Sequence, residues 1–81
     1  MSIFFKRSFI NDFKKLPQEV RAKVKEVCTQ NIFKHPVKPI VGFKDYYRLR
    51  IGDYRLGFKK EGNSIIFMRV KHRKDIYRFF P

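Results

Sequence analysis

The amino-acid sequence predicts an α+β fold: an N-terminal strand, a two-helix hairpin and a three-stranded antiparallel meander, forming one sheet with the helices on one face. Two observations carry this prediction. The stretch 46–59 alternates apolar and polar residues with a period of two, as half-buried strands do. The stretch 9–28 instead repeats apolar residues every three or four positions, which is typical of amphipathic helices.

The elements before the meander are read from short local signals. A first strand is predicted over Ser2 to Lys6. Ser8 is a predicted N-cap of the first helix, in which Asp12 is expected to face solvent. Pro17 ends that helix and can begin the second, because its missing N–H costs nothing in a first turn. The predicted apolar stripes are Phe9, Ile10, Phe13 and Leu16 in the first helix, and Val20, Val24, Val27 and Cys28 in the second.

The segment from Phe33 to Lys44 breaks the helical pattern. Its residues Pro36, Pro39 and Gly42 indicate a connection between the helices and the meander. This connection is basic, so it is either a plain linker or part of a rim that faces a nucleic acid.

The central hairpin is predicted down to its register. Gly52-Asp53 suits a two-residue type II′ turn, which places Arg50 opposite Arg55 and Arg48 opposite Gly57. Like charges paired across strands are destabilising, so an anion is expected between these arginines. Gly57 is expected to leave room there for a phosphate backbone.

The last strand is predicted over Ser64 to Lys71, after a turn at Glu61-Gly62-Asn63. If the connecting loop has three residues, Ile66, Met68 and Val70 face the helices, whereas Arg69, Lys71 and Arg73 join the arginine face. The residues from Lys74 to Pro81 suggest a turn or a short helix that docks back onto the sheet.

Length and charge restrict the class of protein. The 81 residues form one predicted domain, 1–81, and the net charge is +13 with a pI near 10.3. Such a charge favours a polyanionic partner, either nucleic acid or an acidic protein, over an inert basic surface or an anionic membrane. A single cysteine excludes an internal disulfide, and no segment is long and apolar enough for a membrane span, so a cytoplasmic protein is expected.

The motifs exclude several chemistries. Neither metal-ligand spacing nor a Ser/His/Asp set, a glycine-rich phosphate loop or paired carboxylates is present, so no metal or cofactor is expected. What remains is a group of arginines with His72 and Tyr77 nearby. Arginine holds phosphate and stabilises charge that develops in phosphoryl transfer. It stays protonated and cannot serve as the base, which leaves His72 and Tyr77 as the predicted proton-transfer groups.

Two runs, YYRLRIGDYRLGF and IIFMRVKHRKDIY, make the chain resemble the RelE/ParE toxin superfamily. The resemblance implies a fold related to microbial ribonucleases and, for RelE-type members, cleavage of translated mRNA in the A site of the ribosome. It also implies a cognate acidic antitoxin as partner. The predicted catalytic residues are Arg48, Arg50, Arg55, His72, Arg73 and Tyr77, and the predicted RNA-binding residues are Lys44, Lys59, Arg69, Lys71 and Lys74.

The roles follow the motif position by position. Arg55 matches the arginine that holds the phosphate in the family, and Tyr77 matches the terminal tyrosine that stacks on a nucleotide or assists proton transfer. Some members have lysines where this chain has Arg48 and Arg50, so the proton acceptor stays open. Two alternatives to the mRNA endoribonuclease are a ParE-type inhibitor of DNA gyrase and a non-catalytic nucleic-acid-binding member.

Overall fold

The structure, a computed structural model, describes residues 2–30 and 32–81. A five-stranded sheet is its central element, with two longer helices inserted between the first and second strands and a short helix at the end. The elements in chain order are β1 (Ser2–Phe5), α1 (Arg7–Lys14), α2 (Gln18–Thr29), a single 3-10 turn (Ile32–Lys34), β2 (Val37–Pro39), β3 (Tyr46–Ile51), β4 (Tyr54–Glu61), β5 (Ser64–His72) and α3 (Ile76–Phe79).

The strand order in the sheet is β1-β5-β4-β3-β2, and β1 is parallel to β5 while the other neighbours are antiparallel. The predicted α+β architecture is confirmed. The connection between the helices and the meander, however, contains a strand that was not predicted: Val37–Pro39 pairs with β3, so that Lys38 lies opposite Arg48. Two prolines flank or end this strand, which is compatible with an edge position where few ladder hydrogen bonds are needed.

The β3–β4 hairpin has the predicted register. Arg50 lies opposite Arg55, and Arg48 lies opposite Gly57. A type II′ turn requires a positive φ at its first central residue and a negative φ at its second. Gly52 has a φ of 56° and Asp53 has no positive φ, so the turn fits this type. The two-residue turn therefore sets which side chains share the arginine face.

Strand β5 departs from regular alternation at one point. Gly57 pairs with Arg69 and Phe58 with Phe67, so Met68 is an extra residue, a β-bulge. The turn before β5 has two residues and not three, because Glu61 pairs with Ser64. The prediction that Ile66 and Met68 face the helices depended on a three-residue loop and was therefore wrong. The bulge shifts the alternation by one residue, so Val70 faces the helices as predicted. The fully buried side chains of β5 are Ile65, Phe67 and Val70.

Helices α1 and α2 cover one face of the sheet, and the main core lies between them. Its largest buried side chains are Phe67, Leu49, Leu56, Ile65, Val24 and Val70. Both helical stripes were predicted largely correctly, but Ile10 is 42% exposed instead of buried. α1 ends at Lys14, and Pro17 stands immediately before the first residue of α2, as predicted.

Helix α1 also protects the edge of β5 beyond the end of β1. The Ser8 hydroxyl donates to the Met68 carbonyl at 2.7 Å, so Ser8 is not the N-cap that was predicted. Asp12 was predicted to face solvent, yet it is 5% exposed and accepts a hydrogen bond from the Val70 amide. Free backbone groups on a strand edge invite association with other chains. The Ser8 and Asp12 side chains bind two of these groups on β5 and so protect its edge.

The short helix α3 packs on the opposite face from α1 and α2. Ile76 and the adjoining Phe80 are both fully buried, while Tyr77 and Phe79 are about half exposed. The Phe79 ring lies within 5 Å of the charged groups of Arg69 and Lys71, which share the arginine face. The predicted return of the C-terminal residues onto the sheet is confirmed.

Cys28 gives a test of the packing of α2. It is buried, and burial raises the pKa of its thiol from 9.0 to about 12. Since the thiolate is the reactive form, we expect a colorimetric disulfide reagent at pH 8 to modify the native protein at least ~10²-fold more slowly than the guanidinium-unfolded chain. Equal rates in the two states would contradict this burial.

The same shift affects stability at high pH. The folded-state pKa lies above that of an exposed thiol, so the buried thiol favours the folded state fully below pH 9 and loses this contribution as the pH rises toward 12.

Candidate nucleic-acid interface

A basic pocket of about 290 Å³ opens on the sheet face opposite α1 and α2. We call it the arginine pocket. Its lining residues are Pro36, Lys38, Arg48, Arg50, Arg55, Arg73 and Tyr77. Five of these seven carry a positive charge and none is acidic, so the lining favours a polyanion.

Three of the arginines reach the pocket through strand periodicity. Arg48 and Arg50 are two residues apart on β3 and therefore share a face, and Arg55 lies directly opposite Arg50 on β4. The Arg55 guanidinium is held by the hairpin itself, because its Nη1 donates to the Gly52 carbonyl at 2.8 Å and to the Tyr54 carbonyl at 3.0 Å. Arg55 is thus fixed before any ligand is present.

Arg73 enters the pocket from the turn that follows β5. Its backbone amide donates to the Asp53 carbonyl at 2.7 Å, which joins this turn to the β3–β4 turn. Its Nε also lies 3.8 Å from an Asp53 carboxylate oxygen, and both side chains are more than half exposed. An ion pair this long and this exposed contributes little to stability, so the guanidinium is free to turn toward a phosphate.

Tyr77 closes the pocket from α3. Arg48 donates a hydrogen bond through Nη1 to the Tyr77 hydroxyl, and its guanidinium carbon lies 5.6 Å from the centre of the Tyr77 ring. The ring is 55% exposed, so it presents an aromatic surface at the edge of a cationic site. An exposed aromatic ring beside arginines is the arrangement on which unpaired bases stack.

The site prediction omitted two lining residues, Pro36 and Lys38, of which Lys38 is charged. Lys38 reaches the pocket only because β2 pairs with β3 and places Lys38 beside Arg48. A three-residue strand that follows Pro36 and ends at Pro39 is too short to show alternation, so periodicity gave no signal. The basic character of the connection was the one available hint.

The remaining predicted site residues do not line the pocket. His72 lies opposite Tyr54 on the helix side of the sheet, and its Nδ1 accepts a hydrogen bond from the Lys74 amide. Arg69 and Lys71 share the arginine face but turn their charged ends to Asp12, at 2.8 and 3.2 Å. Lys59 pairs with Glu61 at 2.8 Å, and this contact raises the pKa of Lys59. Lys44 and Lys74 are exposed in connections on either side of the meander.

The arginine pocket can bind phosphate and stabilise added negative charge on it. Guanidinium groups bind phosphate oxygens in pairs, and several of them converging on one site favour a phosphate with extra charge over a neutral group. In residues 2–30 and 32–81, no cluster of three metal-ligating side chains occurs, and no helix has the length and hydropathy to cross a membrane.

Comparison with known proteins matches the chain to one family. Residues 3–77 match the family described as the ParE toxin of the type II toxin-antitoxin system, parDE. Toxin RelE3 of Methanocaldococcus jannaschii is 41% identical over an 88-residue alignment that covers all of both chains.

Solved structures agree in fold. The RelB-RelE antitoxin-toxin complex from Methanococcus jannaschii contains a chain 37% identical, with a TM-score of 0.84 and coverage of 96% of this chain and 99% of that one. The RelBE2 toxin-antitoxin complex from Mycobacterium tuberculosis contains a chain 25% identical, with a TM-score of 0.75 and coverage of 89% and 96%.

Proposed function

The chain belongs to the RelE/ParE superfamily of type II toxin-antitoxin toxins, and from this premise we propose that it is a RelE-type endoribonuclease that cleaves mRNA on the ribosome and so inhibits translation. The observation that carries the proposal is the arginine pocket, in which Arg48, Arg50, Arg55 and Arg73 surround one space beside Tyr77. Four converging guanidiniums can hold a phosphate through paired hydrogen bonds and stabilise extra negative charge on it.

The proposed reaction is attack of a 2′-hydroxyl on the adjacent phosphate, which breaks the bond to the 5′-oxygen of the next nucleotide. Arg55 and Arg73 hold the non-bridging oxygens and stabilise the extra charge of the pentacoordinate phosphate. Tyr77 stacks on a neighbouring base or relays a proton. Since arginine stays protonated, Tyr77 and Lys38 are the lining residues whose side chains can exchange a proton.

Two kinds of partner follow from this function. The first is a cognate antitoxin, for which the net charge of +13 favours an acidic surface. The similar RelB-RelE and RelBE2 structures are complexes of a toxin with an antitoxin. The second is the ribosome, at the A site on its small subunit, together with the mRNA, because the phosphates of both RNAs attract the same cationic surface. We place this activity in the cytoplasm, where both partners occur.

The proposal is tested by primer extension on an mRNA in a purified translation reaction. We expect discrete cuts that appear only when both the protein and ribosomes are present. A parallel reaction without ribosomes separates this activity from general ribonuclease action. Intact mRNA at excess protein would overturn the proposal.

A second candidate is a ParE-type inhibitor of DNA gyrase, which the description of the matching family favours. A DNA supercoiling assay with purified gyrase distinguishes the two functions. Loss of supercoiling together with intact mRNA would select the gyrase inhibitor. Absence of both activities would leave a non-catalytic nucleic-acid-binding member.

A further inference from the structure

Gly57 lies beneath an aromatic ring. It is buried in the middle of β4, opposite Arg48, and the Phe80 ring occupies the space where a side chain at this position would lie. A Cβ built on Gly57 would lie 2.5 Å from two atoms of that ring, which is closer than carbon atoms approach one another. The space that the sequence suggested for a phosphate backbone is therefore filled by the protein's own C-terminal segment.

The short helix α3 depends on packing against the sheet to keep its position. A helix of four residues is not stable by itself. Its position depends on two buried side chains, Ile76 and Phe80, which are 0% and 2% exposed. The Phe80 ring also lies 5.7 Å from the ring of Tyr46, so it covers residues of both β3 and β4. The Phe80 amide donates to the Ile76 carbonyl at 2.9 Å, which ties the ring to the helix.

Tyr77 depends on this arrangement for its place in the arginine pocket. It follows Ile76 directly, it is 55% exposed, and its polar contact on the sheet is the hydrogen bond from Arg48. We propose that Gly57 and Phe80 are positioning residues: the ring seated on the glycine fixes α3 so that the Tyr77 hydroxyl stays beside Arg48. The effect on cleavage rests on the function proposed above, whereas the seating itself does not.

The position of Tyr77 can be observed without any assay of function. In protein labelled with 3-fluorotyrosine, ¹⁹F NMR gives one resonance for each of four tyrosines, and Tyr77→Phe identifies the one of interest. We expect Gly57→Ala and Phe80→Ala each to move this resonance toward its value in the unfolded chain. In the double variant, Gly57→Ala should add no further shift, because the ring with which its methyl group collides is gone. An unchanged Tyr77 resonance in Gly57→Ala, or full additivity in the double variant, would overturn the proposal.

A matched control lies one residue away. Phe79→Ala removes a ring of the same size from α3, but this ring lies over Arg69 and Lys71 and not over Gly57. We expect it to leave the Tyr77 resonance in place. If Gly57→Ala fails to fold, Phe80→Leu takes its place, because it trims the seated ring without adding a group to the sheet. If Phe79→Ala moved the Tyr77 resonance as far as Phe80→Ala does, the proposal would also be overturned, because the packing of Phe80 on Gly57 would then have no specific role.

Cleavage kinetics give the functional consequence. Displacement of a reacting group by about 1 Å can cost ~10²-fold in rate. We therefore expect Phe80→Ala to lower kcat by ~10²-fold with KM changed less than about threefold, and to have no additional effect in a Tyr77→Phe background. An equal loss in both backgrounds would show that Phe80 acts other than through Tyr77 and would overturn the proposal. If the wild-type protein cleaves no mRNA, the proposed function fails. The NMR result alone then decides whether the packing of Phe80 on Gly57 positions Tyr77.

Discussion

Replacement of Arg55 by alanine is expected to lower the rate of ribosome-dependent mRNA cleavage by roughly 10²–10³-fold, the loss typical of removing one fixed donor to a developing anion. Arg55 is the pocket arginine that hairpin carbonyls hold in place, at 2.8 and 3.0 Å, so it needs little rearrangement to receive a phosphate. The measurement is the rate of primer-extension cuts at saturating ribosomes. Arg73→Ala is expected to cause a similar loss.

The fold should survive the Arg55→Ala change. The two hydrogen bonds that are lost lie at the hairpin turn, one of them exposed, so we expect a fall of no more than ~1 kcal/mol in the free energy of unfolding. Arg7→Ala is the matched control, because it removes the same charge from an exposed position at the start of α1. Equal loss of cleavage in both variants would mean that net charge, and not the pocket, determines activity. Unfolding of Arg55→Ala and Arg73→Ala would mean that these arginines are structural.

Replacement of Asp12 by alanine is expected to cause a large loss of stability, about 3 kcal/mol. Asp12 is almost fully buried and accepts hydrogen bonds from the Arg69 side chain at 2.8 and 3.0 Å and from the Val70 amide at 3.2 Å, while the Lys71 ammonium lies 3.2 Å away. Its removal leaves two cations and a backbone amide without their acceptor. The two cations are partly exposed to solvent, so the expected loss lies at the lower end of the range for buried pairs.

Thermal unfolding followed by circular dichroism measures this loss, with an expected fall in Tm of roughly 15 °C for a domain of this size. Asp53→Ala is the matched control, since its ion pair with Arg73 is 3.8 Å long and mostly exposed. This control should change the free energy of unfolding by less than about 0.5 kcal/mol. Similar losses in the two variants would contradict the view that burial makes the Asp12 cluster important.

The sequence alone determined the hairpin and its arginine face. A two-residue turn allows one register, and a period of two then assigns every side chain of β3 and β4 to a face. For that reason the prediction that Arg48, Arg50 and Arg55 lie together is correct, and their motif with Tyr77 indicated the family. The stripes of α1 and α2 were determined in the same way, by local periodicity.

Only the tertiary structure decided which distant residues meet these elements. Pairing of β2 with β3 adds Lys38 to the pocket. Packing of α1 against the edge of β5 buries Asp12, which was predicted to face solvent, and makes it an acceptor for the Val70 amide. The two-residue turn before β5 places Ile65 and Phe67 on the helix side, and the bulge at Met68 then shifts the alternation, although a glycine on the neighbouring strand, Gly57, is a known sign of such a bulge. These outcomes depend on contacts between segments far apart in the chain. Local periodicity carries no information about such contacts. It assigns each side chain to one face of its strand or helix, but it does not show which segment packs against that face.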